Sequence, residues 1–461
     1  MRMLASVAAA FVAGAVAGPV VTAWAQEGSR AETYRLLNLF GDVFERVRAE
    51  YVEPVNDREV IEAAINGMLQ GLDPHSSYMN LRNFRDMQVQ TRGEFGGLGI
   101  EVSQDAGYVK VISPIDETPA ARAGVKPGDL ITHINNKSTQ GLTLQEAVDQ
   151  MRGERGTSIR LTIRREGTAN PLEISLTRET IRPQVVRARL EGNDIGYIRL
   201  TSFNEQTETG LRRALANLRS QASNGLKGLV LDLRNNPGGL LDQAIQVSDD
   251  FLEQGEIVST RARRSEDAQR WNARSGDIAQ GLPIVVLVNA GSASASEIVA
   301  GALQDHRRAV VMGVKSFGKG SVQTVMPLPG NGAIRLTTAR YYTPSGRSIQ
   351  STGIEPDIEV LAQRQDAQQN RERDREADLR RALRNDNGGN DTAAQGVNAR
   401  PPAPLPPLNL PAGLVERVQR MPAEDAPAFD PTKPETDHQL QQAVMLLRNI
   451  AATPVQRRAS R

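Results

Sequence analysis

The stretch that most constrains the fold is a buried strand that turns directly into a helix. Residues 283–289, Pro-Ile-Val-Val-Leu-Val-Asn, are an apolar segment of strand length. The turn Ser292–Glu297 follows with three serines, and residues 298–304 are alanine-rich, which favours a helix. A hydroxyl at such a turn lies at the positive end of the helix dipole. The pattern predicts an α/β domain that presents a serine oxygen at a strand end.

The same alternation of strands and helices surrounds this turn and predicts an α/β core over residues 181–361. A glycine-containing loop, Arg234–Gly239, follows the second strand of this core and opens the next helix. The strands are predicted at residues 195–200, 228–233, 283–289, 309–314, 317–324, 334–339 and 358–360.

Residues 91–180 have a different pattern, a glycine-rich loop followed by short strands and one capped helix. This order resembles a PDZ domain, in which backbone N–H groups beside glycines bind a terminal carboxylate and the next strand accepts a peptide by β-addition. A small β-module without a ligand is the alternative. The resemblance implies a carboxylate-binding loop and a groove lining, formed by Leu98, Gly99 and Ile100 and by Ala147, Val148 and Met151.

Residues 26–90 are predicted to form an N-terminal helical region. Apolar residues recur at three- and four-residue spacing on both sides of Pro54, which indicates two amphipathic helices. Such helices are expected to dock onto another domain or another subunit. In the connector Leu72–Tyr78, a turn-fixing role for His75 is favoured over a catalytic one.

Beyond residue 361 the chain loses its apolar pattern. Residues 362–436 are polar and charged at first and then proline-rich, which is typical of a low-complexity linker. An amphipathic pattern returns within the last segment, 437–461, and predicts a helix there. A helix beyond such a linker is expected to pack on something, with a second subunit as one option.

The first 25 residues have the features of an export signal. Arg2 precedes an uncharged stretch that ends in Ala23-Trp24-Ala25, a pattern typical of cleavage before Gln26. The stretch is long enough to act as an uncleaved membrane anchor, but its alanines, glycines and Pro19 favour cleavage. The body of the protein is therefore predicted to be exported to the periplasm or another extracytoplasmic compartment.

Composition excludes several kinds of site. The chain has no cysteine, so disulfides, thiolate nucleophiles and cysteine-bound metals are excluded, and its four histidines lie far apart in sequence. Basic and acidic residues nearly balance, at 55 against 54, and no basic stripe with interleaved aromatics argues for a nucleic-acid partner. No metal or other cofactor is expected.

The serine turn itself has two interpretations. Ser294 and Glu297 fit a capping box, which stabilises a helix by ~1 kcal/mol. A nucleophilic serine instead needs a base. His306 lies twelve residues along the predicted helix, which places it roughly 18 Å away, and Asp305 is excluded for the same reason.

Lys319 is the better candidate for the base. Gly318 and Gly320 permit close backbone approach, which lets the lysine point inward. Burial lowers the pKa of an ammonium, and a neutral amine near pH 7 can accept the serine proton. A surface turn is the alternative for this Gly-Lys-Gly sequence, and Gln323 is placed to orient the amine.

A tetrahedral intermediate also needs fixed N–H donors for its oxyanion. The N–H of Ala295, directly after the candidate nucleophile, is one candidate. The N–H of Gly238, or less favourably that of Gly239, is the other.

The combination of these motifs resembles the carboxyl-terminal processing peptidases, tail-specific serine proteases with a PDZ domain inserted beside a crotonase-like core. The resemblance covers about residues 35–360 and rests on residues 94–102, 234–239, 289–297 and 317–323. It implies an α/β fold with a crotonase-like βαβ core, an inserted PDZ domain, N-terminal helices and a partly disordered C-terminal tail ending in a helix. The roles implied are Ser294 as nucleophile, Lys319 as general base, Gln323 as its orienting partner, Gly238 and Ala295 as oxyanion hole, and Asp305 in support.

The function expected from this resemblance is that of a serine endopeptidase. Its PDZ domain would capture protein or peptide substrates by their free C-termini, and its Ser–Lys dyad would cleave them through an acyl-enzyme. The alternatives are a catalytically inactive PDZ scaffold and a non-peptidase crotonase-type hydrolase. A homo-oligomer formed through the terminal helices is expected, and the sequence leaves open whether an adaptor delivers substrates.

Overall fold

The structure, a computed structural model, describes residues 31–105, 107–115, 117–168, 170–362, 375–386, 405, 410–411, 413–422 and 433–453. The predicted signal segment, residues 1–25, lies outside this set. The chain divides into two units, Met1–Leu69 and Gln70–Arg461.

The described part of the first unit is helical. Residues 31–50 form α1, and α2 is Asp57–Gln70, whose last residue belongs to the second unit. Both helices were predicted from their apolar spacing. The apolar residues of α1 are largely exposed, for example Leu37 at 58% and Phe40 at 49%. None of the helices within the described residues is long and apolar enough to cross a membrane.

The second unit begins with a short strand and a helix that lead into an inserted β-domain. The elements are β1 Ser77–Met79, α3 Leu81–Arg92, β2 Phe95–Gly97, β3 Ile100–Asp105, β4 Tyr108–Pro114, α4 Pro119–Arg122, β5 Leu130–Ile134, β6 Lys137–Ser138, α5 Leu144–Met151, β7 Ser158–Arg164, β8 Leu172–Thr177 and β9 Glu179–Ile181.

The inserted β-domain is one sheet with its own core. Its strands are ordered β3-β4-β5-β7-β8, and β6 pairs with β5. α5 begins with the predicted capping box, in which Thr143 and Glu146 exchange hydrogen bonds. β2 and β9 pair antiparallel where the chain enters and leaves the domain, so both ends of the insertion lie side by side.

The remaining elements form the core that was predicted from the strand–helix alternation. They are β10 Val186–Glu191, β11 Ile195–Leu200, α6 Thr207–Gln221, β12 Gly228–Asp232, α7 Leu241–Asp249, β13 Glu256–Ala262, a 3₁₀ turn Ser265–Asp267, β14 Gln269–Asn272, β15 Ile284–Val288, α8 Ala295–Asp305, β16 Ala309–Gly313, β17 Ser321–Leu328, β18 Gly332–Tyr342, β19 Ile358–Glu359, 3₁₀ turns Glu376–Asp378 and Pro434–Thr436, and α9 His438–Ala452.

The main sheet has the order β10-β11-β12-β15-β16-β19. β11, β12, β15, β16 and β19 run parallel, and β10 pairs antiparallel at the edge. β12, β15 and β16 are buried along their whole length, as expected for parallel strands covered on both faces. Residues of α6, α7 and α8 pack in the core cluster on one face. The α/β fold class predicted from the sequence is confirmed.

The predicted strand at residues 317–324 is wrong over its first half. The strand begins at Ser321, and residues 317–320 form a loop because the N–H groups of Gly318 and Lys319 donate to the Glu297 carboxylate rather than to a neighbouring strand. β17 and β18 form a second sheet with β13, β14 and β1. β1 lies within the predicted helical region, and it pairs with β18 at Ser77 opposite Arg335.

The C-terminal segment differs most from expectation. α9 is present as predicted, but its apolar side is covered by the chain's own sheet rather than left for a second subunit. The physical reason is that the parallel strands have apolar side chains on both faces of the sheet. α6–α8 pack on one face, and α9 covers the other. Residues 375–386, within the predicted linker, also pack on the core, with Glu376 completely buried.

Candidate active site

Three loops at neighbouring strand ends form the candidate site. Residues 233–239 follow β12, residues 289–294 follow β15, and residues 314–320 follow β16. These strands are adjacent and parallel, so their carboxyl ends meet at one edge of the sheet. That edge is where open α/β sheets place their functional loops.

Ser294 is the residue at which β15's loop becomes α8. It is the N-cap of α8, and one half of the predicted capping box is formed: the Ser294 backbone N–H donates to Glu297 Oε2 at 2.8 Å, whereas the Ser294 hydroxyl makes no side-chain cap hydrogen bond and the Glu297 N–H donates to the Ser294 carbonyl oxygen. Its backbone has φ +55° and ψ −112°. This sparsely populated combination of φ and ψ costs a non-glycine residue of order 1–3 kcal/mol. The turn therefore holds the serine in a strained conformation.

Glu297 connects the serine turn to the loop after β16. Its side chain is fully buried and accepts four hydrogen bonds. The donors are Ser316 Oγ at 2.5 Å, Gly318 N at 2.7 Å, Ser294 N at 2.8 Å and Lys319 N at 2.9 Å. Burial raises the pKa of this carboxyl to about 7, while the hydrogen bonds act in the opposite direction. The sequence indicated the cap but not this second role.

Lys319 lies in the loop between β16 and β17. Burial lowers the pKa of its ammonium, and the positive charge of Arg335 acts in the same direction. The carboxylates of Glu376, Glu297 and Asp73 act against this shift. The direction is the one required of a lysine that accepts a proton near neutral pH.

Gln323 lies on β17 beyond the Lys319 loop. Its Nε2 donates to Ser321 Oγ at 2.9 Å and to Thr337 Oγ1 at 3.3 Å. Thr337 Oγ1 in turn donates to Asp73 Oδ1 at 3.0 Å. The side-chain amide is thus fixed by β18 and by the turn that contains Asp73.

Gly238 lies directly against the serine turn. A Cβ at this position would lie 2.7 Å from the carbonyl oxygen of Ala293 and 2.9 Å from the nitrogen of Ala295, so a side chain is excluded. The Gly238 N–H donates to Asn236 Oδ1 at 2.9 Å. The Ala295 N–H is in the first turn of α8, where no acceptor within the helix is available. The oxyanion roles of Gly238 and Ala295 stay predictions.

Arg234 fixes the start of the loop after β12. Its guanidinium is buried between two carboxylates, with Nη2 at 2.7 Å from Asp232 Oδ2 and 2.6 Å from Asp437 Oδ2. Asp437 is the N-cap of α9. The C-terminal helix is therefore tied to the loop that contains Gly238, a link that no local sequence pattern indicated.

Two other candidate residues lie away from the serine. Asp305 is at the last turn of α8, and its carboxylate accepts from Ser345 N at 2.8 Å and from Arg347. The His306 ring bonds to the carbonyl oxygen of Glu256 at 2.6 Å. Neither side chain is engaged with the serine turn, as the helix length predicted. A supporting role for Asp305 stays a prediction.

The predicted carboxylate-binding loop lines a cavity of about 180 Å³ in the inserted β-domain. Leu98, Gly99 and Ile100 line it from the loop, and Val148 and Met151 line it from α5. Ala147 is instead fully buried in the domain's core. Five of the six predicted groove residues therefore come together. Among the described residues, no group of His, Asp or Glu side chains is arranged to hold a metal ion.

Three family models match the chain. Residues 194–360 match peptidase family S41, residues 110–165 match the PDZ domain, and residues 12–82 match the N-terminal domain of the activating protease CtpB.

Individual proteins match over most of the chain. It is 57% identical over 354 residues to a carboxy-terminal-processing protease of Bartonella bacilliformis, covering 76% of this chain and 81% of that protein. It is 36% identical over 318 residues to the carboxy-terminal processing protease CtpA of Bacillus subtilis, covering 69% of this chain and 67% of that one. A solved photosystem II D1 C-terminal processing protease is 30% identical, with 70% and 92% of the two chains covered and a TM-score of 0.41.

Proposed function

Since the chain belongs to the carboxy-terminal-processing proteases of peptidase family S41, we propose that it is a serine endopeptidase with a Ser294–Lys319 dyad. One observation carries the assignment of the dyad. Glu297 Oε2 accepts hydrogen bonds from the backbone N–H groups of both Ser294 and Lys319, at 2.8 and 2.9 Å, so one carboxylate oxygen holds the backbones of the two residues close together. If Ser294 were only a helix cap and Gly318–Gly320 only a surface turn, a shared buried acceptor between them would not be expected.

The reaction proposed proceeds through an acyl-enzyme. Lys319 Nζ, as the neutral amine, takes the proton of Ser294 Oγ, and the oxygen attacks the carbonyl carbon of the scissile bond. The oxyanion that forms is stabilised by the N–H group of Ala295 and by that of Gly238, which exchanges its hydrogen bond to Asn236 Oδ1 for one to the oxyanion. Lys319 then gives its proton to the leaving amine. A water molecule, deprotonated by Lys319, hydrolyses the ester and restores the Ser294 hydroxyl.

Gln323 and Asp305 have positioning roles in this proposal. The Gln323 amide nitrogen is occupied by Ser321 and Thr337, which leaves its oxygen to accept a hydrogen bond from the Lys319 amine. Asp305 supports the far end of α8 by holding the backbone of Ser345. Both roles concern the geometry of the dyad rather than a proton transfer.

The substrate is proposed to be a protein or peptide captured by its free C-terminus. The PDZ loop Leu98–Ile100 lines a cavity with the apolar side chains of Val148 and Met151, which suit an apolar last side chain beside a carboxylate-binding loop. No cofactor enters the mechanism.

Amidation of a substrate's C-terminus is expected to lower kcat/KM by about 10-fold, because a hydrogen bond to a charged group contributes ~1.5 kcal/mol or more. The measurement compares the cleavage of one peptide as free acid and as amide. Acetylation of the same peptide at its N-terminus is the control and should leave the rate unchanged. Equal rates for acid and amide would rule out recognition of the terminal carboxylate.

Export and assembly are part of the same proposal. Residues 1–25 are proposed to direct export and to be cleaved before Gln26, and a homo-oligomer is proposed to form through α1, whose apolar side chains are exposed. α9 is not proposed for this contact because it packs on the chain's own sheet. N-terminal sequencing of the exported protein tests cleavage before Gln26, and its mass in solution tests the homo-oligomer.

A further inference from the structure

Residues 375–386, here named the tail strap, lie on the core although their composition is that of a linker. Glu376 begins the strap's 3₁₀ turn and is completely buried. A buried carboxylate is costly unless it is paired and hydrogen-bonded, so its partners show what the strap does. Those partners lie on both sides of the candidate base.

The first set of contacts reaches the Lys319 loop. The Glu376 N–H donates to the carbonyl oxygen of Phe317 at 3.2 Å. Gln350 Nε2 donates to Glu376 Oε1 at 2.8 Å, and the Gly320 N–H donates to Gln350 Oε1 at 3.0 Å. Glu376 therefore holds the loop two residues before Lys319 and, through Gln350, one residue after it.

The second set of contacts reaches the side of the site where Gln323 lies. The other carboxylate oxygen, Glu376 Oε2, is 2.7 Å from His75 Nε2. The backbone N–H of His75 donates to Asp73 Oδ1 at 2.8 Å, and Thr337 Oγ1 donates to the same oxygen. Thr337 Oγ1 itself accepts a hydrogen bond from the Gln323 side-chain amide. One buried carboxylate thus connects the Lys319 loop with the residues that orient Gln323.

The strap is anchored independently of Glu376. Asn385 Nδ2 donates to the carbonyl oxygen of Gln350 at 2.7 Å, and Ser351 Oγ donates to the carbonyl oxygen of Leu383 at 2.9 Å. Tyr342 donates to the Asp386 carboxylate. These contacts fix the strap at its far end, so replacing Glu376 removes one connection and not the whole segment.

We propose that Glu376 is a positioning residue for peptide cleavage, which holds the Lys319 loop and Gln323 in the arrangement that aims the amine at Ser294. The inference rests on the proposed Ser–Lys mechanism. It makes the tail strap part of the active site, so that a core ending at residue 361 is catalytically incomplete.

The charge of Glu376 supplies a signature that a purely structural role lacks. Its carboxylate raises the pKa of Lys319, as do Glu297 and Asp73, against burial and the positive charge of Arg335. His75 is the titratable side chain bonded to Glu376 itself. Because the neutral amine is the active form, activity rises with pH through the Lys319 pKa. Removing the Glu376 charge lowers that pKa, so the acidic limb of the pH–rate profile moves to lower pH.

The experiment compares the full-length mature protein with its Glu376→Gln and Glu376→Ala variants on an unstructured protein substrate. Glu376→Gln keeps hydrogen-bonding groups and removes the charge, whereas Glu376→Ala removes both. Asp378→Asn is the matched control, because Asp378 is an exposed acid in the same turn that accepts the Arg375 N–H, and asparagine keeps an acceptor. Ser294→Ala is measured beside them to show that the cleavage depends on the serine.

The expected result for Glu376→Ala is a fall in kcat of about 100-fold, the size expected when a reacting group is misplaced by an ångström. KM should stay within about 2-fold, because a group that does not bind substrate leaves substrate binding unchanged. Glu376→Gln should keep more of the activity and show the acidic limb at lower pH. Asp378→Asn should match the wild type in all three quantities.

Two results would overturn the inference while leaving the proposed function intact. One is Ser294-dependent cleavage with wild-type kcat and an unmoved acidic limb in both Glu376 variants. The other is a loss of activity shared equally by Asp378→Asn, which would assign the effect to the folding of the strap. Absence of Ser294-dependent cleavage in the wild type would remove both the proposed function and the inference.

Discussion

Lys319→Arg is expected to lower kcat by about 1,000-fold, within the range that a positioned acid–base group contributes. The reason is that a guanidinium keeps its proton near neutral pH, whereas burial lowers the pKa of the Lys319 ammonium toward the neutral amine. The variant therefore places a permanent positive charge where the mechanism requires a neutral amine, and the loss tests the proton transfer assigned to Lys319. The measurement is the steady-state cleavage of an unstructured protein substrate.

Lys315→Arg is the matched control for this variant. Lys315 lies four residues earlier on the same loop, and its amine bonds to the exposed Glu355 at 3.0 Å. Its replacement should leave kcat unchanged, and both variants should unfold at the wild-type temperature. Wild-type turnover by Lys319→Arg would point to a different base.

Glu297→Gln is expected to lower kcat by about 100-fold, because the serine turn and the base loop lose their common acceptor and move apart. Each carboxylate oxygen accepts two hydrogen bonds, and an amide nitrogen in place of one oxygen would face two donors. The free energy of unfolding should fall by about 1–3 kcal/mol, the cost of an unsatisfied buried group. Kinetics and thermal unfolding measure the two effects, and Glu355→Gln, at an exposed acid, is the control.

The same variant tests the titration of Glu297. Burial raises its pKa from 4.5 to about 7, so between these values the folded protein holds a proton that the unfolded chain has released. This carboxyl therefore lowers the free energy of unfolding as the pH rises from 4.5 to about 7. Glu297→Gln should lack that contribution to the pH dependence. An unchanged slope, or wild-type activity in this variant, would contradict the role assigned to Glu297.

Much of the core was predictable because local patterns determine it. The apolar runs before Asn289 and after Gly228 predicted β15 and β12, and apolar spacing predicted α7 between them. The positions of Gly238 and Ser294 after two neighbouring strands follow from this order, since parallel strands bring their carboxyl ends together, whereas Lys319 was predicted within a strand and lies in a loop. The structure adds the shared acceptor Glu297.

The links between distant segments were not predictable from local patterns. The sequence pattern predicted only a helix-capping role for Glu297. Its hydrogen bonds with Ser316, Gly318 and Lys319 depend on how the ends of two strands meet in the fold. The tail strap read as a linker because it has few apolar residues. It is held instead by hydrogen bonds of Glu376 and Asn385, and such bonds do not produce a periodic pattern of apolar residues.

The partner of α9 was missed for a related reason. Amphipathic spacing predicts that a helix has an apolar side but not which surface covers it. The sheet needed a cover on its second face, and the buried pair of Arg234 and Asp437 fixes α9 there. The same limit applies to α1, whose apolar side chains are largely exposed among the described residues.

The measurement that tests the central claim most directly is mass spectrometry of the products formed from an unstructured substrate by the wild type and by Ser294→Ala. Cleavage through Ser294 predicts internal cuts by the wild type and an intact substrate with the variant, whose stability should change by no more than about 1 kcal/mol because alanine keeps the backbone hydrogen bond to Glu297 and the hydroxyl makes no cap hydrogen bond. The same cuts made by Ser294→Ala would contradict the account.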